Sequence, residues 1–149
     1  MIATTEPEAT WMAVARAEIG VREKPGKLRN NPRVLEYLAV CTLLSRALRQ
    51  WDETPWCSAF VNWCMLNAGY EPTRKATARS WLTWGVECEL RTGAIAVFTR
   101  KSAMPGAGHV AFVESWDDHW ITALGGNQRN QVCRKRYPRS RLVGLRWPG

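Results

Sequence analysis

The sequence predicts an α+β fold, with N-terminal helices packed on a small, largely antiparallel sheet. Two observations lead there. Apolar residues recur at helical spacing through the first half of the 149-residue chain, and from Ala94 onward they alternate instead. Helices followed by strands indicate two packed layers rather than a repeating strand–helix–strand wind. The length fits one domain spanning residues 1–149, large enough to bury a core without disulfides or a structural metal.

Each element has its own local signal. Glu8 to Ile19 carries Trp11, Val14, Ala15 and Ile19 on one helical face, and Gly20, Pro25 and Gly26 then punctuate a loop. Pro32 to Leu48 predicts a second helix through Val34, Leu35, Leu38, Cys41, Leu44 and Leu48. A third is expected from Pro55 to Ala68, with Gly69 as its stop, and a short fourth over Ala78 to Trp84, ended by Gly85. AIAVF, HVAFVESW and HWITAL then predict strands, the last two joined at Asp117-Asp118; NQVCRKRY and RLVGLRW complete the sheet.

Composition narrows the function classes. Charged residues at 23% and hydrophobic residues at 46% exclude a wholly disordered chain, and no run approaches the roughly 18 apolar residues of a membrane span. Membrane insertion is therefore not expected. The first twenty residues lack a basic start followed by an apolar run, so no secretory signal is expected either. Net charge is +8, concentrated in Arg129 to Arg146. It implies an anionic partner, and nucleic acid, a membrane surface and the bacterial cell wall all qualify, as does a merely solubilising surface. Nine tryptophans suggest a core plus an aromatic-lined surface or cleft.

Five cysteines (Cys41, Cys57, Cys64, Cys88 and Cys133) with no CxxC pair argue against a disulfide framework and for synthesis in a reducing compartment. Cys57 and Cys64 would lie about 10.5 Å apart along a helix, too far for one zinc or one disulfide. No metal or other cofactor is expected.

The segment DETPWCSAFVNW, Asp52 to Trp63, carries the strongest chemical signal. Thr54 is a good N-cap residue and Pro55 suits the first helical position, which puts Cys57 in the first turn. Backbone N–H groups and the positive end of the helix dipole favour a thiolate there. The competing reading is a buried cysteine packing as a small hydrophobe. Of two histidines, His109 opens a strand after Pro105-Gly106-Ala107-Gly108 and suits a general base, whereas His119 reads as an exposed turn residue. The base needs an acceptor for its second ring nitrogen. Asn127, at the end of the next strand in Gly125-Gly126-Asn127-Gln128, is the first choice, Gln128 the second and Asp117 the third.

PWCSAFVNW, ARSWLTWG, GHVAFV, LGGNQ and LVGLRWP together resemble the small phage and bacterial cell-wall peptidases of the NlpC and CHAP type, from Trp11 to Pro148. The chain departs from that pattern at Thr92-Gly93-Ala94, where many relatives have Gly-Asp. The resemblance implies a papain-like fold and a peptidoglycan hydrolase cutting stem-peptide amides, with Cys57 as nucleophile, His109 as base and Asn127 as third residue. Ser58 and Gln128 are expected near the oxyanion or cleft. Trp56, Trp81 and Trp84 are expected either to wall that cleft or to sit in the core. The expected enzyme is an endopeptidase in phage lysis or an antibacterial secreted effector. An N-acetylmuramoyl-L-alanine amidase with the same residues is the alternative, and a basic nucleic-acid-binding module is an alternative of another class. Peptidoglycan is the expected partner, with an immunity protein or a phage or secretion component beside it and no nucleic acid. Such a protein would be made in the cytoplasm and would act in the periplasm or wall, delivered by a holin pore, a phage tail or a secretion machine.

Overall fold

The computed structural model describes residues 7–24, 30–49, 55–100 and 108–149. Its α-helices are α1 (Thr10–Ala17), α2 (Pro32–Val40), α3 (Arg46–Arg49) and α4 (Cys57–Asn67), followed by a 3-10 helix at Ala78–Thr83. The strands are β1 (Val86–Glu87), β2 (Ile95–Thr99), β3 (Gly108–Trp116), β4 (Trp120–Gln128), β5 (Gln131–Pro138) and β6 (Leu142–Trp147). They form one six-stranded sheet in the order β1-β6-β2-β3-β4-β5, every pair antiparallel. The α+β class read from the sequence is the one observed. No helix among the described residues is long and apolar enough to cross a membrane.

Two local expectations need correction. The helix predicted over Pro32 to Leu48 ends at Val40 and resumes only at Arg46. Between them the Leu43 N–H turns to the carbonyl of Arg74, 3.5 Å away. That partner is distant in sequence and leaves no trace in local periodicity. Helix α4 starts two residues later than expected. Trp56 is its N-cap, without a side-chain capping bond; Pro55 precedes it, and Thr54 lies outside the described residues. Cys57 is thus the first helical residue. The turn at Thr92-Gly93-Ala94 is closed by Ala94 N–H to Arg91 O at 3.1 Å, with Gly93 at φ +95°.

The sheet buries both faces. On one, Ile95, Val97, Val110, Phe112, Leu124 and Val132 pack with Trp11, Tyr37, Trp56, Phe60 and Trp81 in the helical layer. On the other, Ala96, Phe98, Ala111, Val113, Ile121, Ala123 and Tyr137 form a second cluster edged by Leu142, Leu145 and Trp147. The period-two alternation of a strand makes this division, since neighbouring residues point to opposite faces. Gly126 fixes how closely α4 approaches. A Cβ there would stand 2.6 Å from the Trp56 ring and 2.7 Å from Phe60 Cβ, so any larger residue would push the helix start off β4.

Candidate active site

Cys57, His109 and Gln128 come together where the start of α4 meets β3 and β4, and all three are buried. Cys57 owes its place to the packing of Trp56 and Phe60 on Gly126. The first N–H of α4 to find an intrahelical partner is that of Phe60, bonded to Trp56 O at 3.0 Å, so the amides of the first turn are available to other acceptors. His109 is the second residue of β3 and shares a face with Ala111 and Val113.

Burial by itself pushes the Cys57 thiol up. A hydrogen bond with His109, the charge of that ring, the Val110 backbone and the charge of Arg100 overcome burial and hold the thiol at about 7, below its ordinary value. Three other cysteines differ. Burial raises Cys41 to about 11 and, with the negative charge of Glu18, pushes Cys64 well above the ordinary range. Burial also raises Cys88. A thiol near 7 beside an imidazole is poised to act as a nucleophile; a thiol raised by burial is inert.

The ring of His109 is fixed by its other nitrogen. Its Nε2 lies 2.8 Å from Gln128 Oε1. The Gln128 amide nitrogen donates to the carbonyls of Cys133 (2.7 Å) and Ala123 (3.3 Å), which sets which end of the carboxamide faces the ring. Oε1 also accepts the hydroxyl of Tyr137 at 3.1 Å. An amide oxygen has no proton to give, so Nε2 of His109 donates and Nδ1 is left for the thiol. Tyr137 stacks on the imidazole, ring centroids 5.2 Å apart and planes 26° from parallel.

The sequence favoured Asn127 for the contact that Gln128 makes, and the reason is a change of parity. Regular alternation from Ala123 through Gly125 would bring residue 127 to the His109 face. Instead Asn127 adopts φ +55°, and the pairing moves from Gly125↔Cys133 to Gln128↔Gln131. Three steps on β4 oppose two on β5, a bulge that inserts one residue and brings Gln128 to the face. Asn tolerates this left-handed conformation better than most residues. Gly125 makes the room, since a Cβ there would lie 2.8 Å from Gln128 Oε1. Asn127 lines the open cavity beside His109.

Of the tryptophans expected at the cleft wall or in the core, Trp56 and Trp81 are in the core and Trp84 is half-buried against it. Trp56 is fully buried, its indole N–H donating to Glu23 at 3.1 Å. Trp81 is also fully buried and donates to Ser58 Oγ at 3.0 Å. Ser58 in turn donates to the carbonyl of Lys75 at 2.7 Å, so its hydroxyl ties the 3-10 helix and the loop before it to α4. Trp84 donates to Glu71 O at 3.0 Å. Asp117 accepts the backbone N–H groups of His119 and Trp120 in the β3–β4 turn, at the other end of the strands from His109. Tyr137 went unremarked in the sequence; its signal is that it is the one aromatic residue in the basic strand NQVCRKRY.

A family model described as the CHAP domain matches residues 49–127. No curated protein matches the chain.

Proposed function

Because the chain belongs to the CHAP domain family, whose members are typically cysteine- and histidine-dependent amidases or peptidases acting on peptidoglycan, we propose that it cleaves stem-peptide amide bonds with Cys57 as nucleophile, His109 as general base and acid, and Gln128 as the residue that orients the imidazole. The observation that carries this reading is the pairing of a buried thiol held at about 7 with an imidazole whose far nitrogen is fixed by Gln128.

The chemistry runs in two halves. The Cys57 thiolate attacks the amide carbonyl, and the first-turn amide of Cys57 is placed to donate to the developing oxyanion. His109 Nδ1 then gives its proton to the leaving amine, and the thioester remains on Cys57. Water, deprotonated by the same nitrogen, hydrolyses the thioester and restores the thiol–imidazole pair. Throughout, the Nε2 bond to Gln128 holds the ring in one orientation.

Endopeptidase action is the form proposed first. Digesting purified peptidoglycan and weighing the released fragments by mass spectrometry tests it. New termini within the stem peptide support it, release of whole stem peptides from muramic acid makes the protein an amidase, and fragments that still appear with Cys57→Ala overturn the thiol mechanism. The substrate sets the site of action in the periplasm or wall, in phage lysis or as a delivered antibacterial effector. A protein retained in a bacterial cytoplasm should be harmless, and the same protein fused to an export signal should lyse the cell in a Cys57-dependent way. Cytoplasmic toxicity independent of Cys57 would instead favour a nucleic-acid-binding role.

A further inference from the structure

Beside His109 opens a cavity of about 320 Å³ whose described lining is Arg100, His109, Asn127, Lys135, Tyr137 and Arg141. Three of these six are permanent cations, and none is acidic. Elsewhere among the described residues several arginines meet carboxylates: Arg16 with Glu8 and Glu114, Arg33 with Glu18 and Glu36, Arg74 with Glu71, Arg134 with Glu114, and Arg146 with Glu87. Gathering like charges around one small cavity costs free energy that an anionic occupant would return.

The cations are also placed rather than scattered. Arg141 Nε and Nη2 both donate to the carbonyl of Thr99, at 3.0 and 2.7 Å, which aims the guanidinium instead of leaving it to swing. Lys135 lies two residues from Tyr137 on β5 and so on the same face, with its ammonium 5.3 Å from the Tyr137 ring centre. Arg100 directly follows β2, and its charge is felt at the Cys57 sulfur. A guanidinium and an ammonium converging on one cavity match a carboxylate, which accepts a charge-assisted hydrogen bond from each.

Resting on the proposed function, we infer that Lys135 and Arg141 form a carboxylate subsite that holds the free α-carboxylate of D-glutamate in the stem peptide, beside the amide to be cut. D-Glutamate is joined through its γ-carboxyl, so its α-carboxylate stays free, on the carbon that bears the amide nitrogen and two methylenes from the γ-amide carbonyl. Amidation of that group to isoglutamine removes the charge and turns half of the acceptor into a donor. The subsite therefore selects unamidated stem peptides.

Two synthetic stem peptides that differ only in this group, acid against amide, test the inference. Binding is measured by calorimetry to the Cys57→Ala protein, which needs no turnover, and cleavage is measured with the native protein. The acid peptide should bind roughly ten- to a hundredfold more tightly than the amide. Lys135→Gln and Arg141→Gln, made together on the Cys57→Ala background, should reduce that preference to within about threefold. In proteins that keep Cys57, an unchanged alkylation rate with neutral iodoacetamide shows that the double variant has kept its fold. Equal binding of the two peptides, or a preference that survives the double substitution, overturns the subsite. Preferential binding of the acid peptide with no cleavage of either peptide would leave the subsite standing and overturn the endopeptidase reading, so the two failures are distinct.

Discussion

Cys57 and Cys64 lie on the same helix, two turns apart, and both are buried, yet their thiols are driven in opposite directions. Burial is the largest influence on each and acts the same way on both, against the thiolate. At Cys64 no group among the described residues opposes it, and Glu18 adds a repelling negative charge. At Cys57 the imidazole of His109, the Val110 backbone and Arg100 together outweigh it. Burial does not separate these two thiols; position on the helix and the partner across the gap do.

The comparison breaks most visibly by removing each sulfur in turn. Cys57→Ala should abolish wall hydrolysis in a turbidity assay while leaving thermal unfolding close to native. Cys64→Ala should retain most of the activity and lose about 1 kcal/mol of stability from the small cavity it leaves. Appreciable lysis by Cys57→Ala would remove the distinction altogether. A smaller effect is expected one step further from sulfur. Gln128→Ala leaves the His109 Nε2 proton and the Tyr137 hydroxyl without the acceptor they share. It should lower kcat by roughly ten- to a hundredfold while KM changes little. A rise in KM alone would assign Gln128 to substrate binding. The smallest effect on chemistry, with a clear effect on stability, is expected at Gly126→Ala, where the new methyl meets Trp56 and Phe60. A loss of about 1–3 kcal/mol in chemical denaturation is expected. A neutral result would mean that the helix start is less tightly seated than the packing implies.

What could be read from the sequence follows the range of the forces involved. The period of apolar residues, the stops at Gly69 and Gly85 and the Asp117 turn are local, and they appear where expected. Cys57 on the first turn and His109 at the mouth of a strand were legible for the same reason. The exchange of Asn127 for Gln128 was not, because a single left-handed residue reverses strand parity and only the pairing with β5 reveals it. Trp56, Trp81 and Ser58 sit beside Cys57 in sequence or motif, which suggested the cleft. Their side chains bond to Glu23, Ser58 and the Lys75 carbonyl, partners that local sequence does not announce. The break after Val40 depends on the carbonyl of Arg74 and is invisible for the same reason.

The claim that His109 makes Cys57 reactive is tested most directly by the pH dependence of thiol alkylation, followed at each cysteine by peptide mass spectrometry. A group held below its ordinary value is deprotonated as pH rises through the lowered value, so the Cys57 rate should climb with a midpoint near 7. Cys64 should stay unreactive across the same range. In His109→Ala the hydrogen bond and the ring charge are gone while burial remains, so the Cys57 midpoint should move up toward or beyond the ordinary thiol range. A midpoint near 9 in the native protein, or one near 7 that does not move in His109→Ala, would contradict the account.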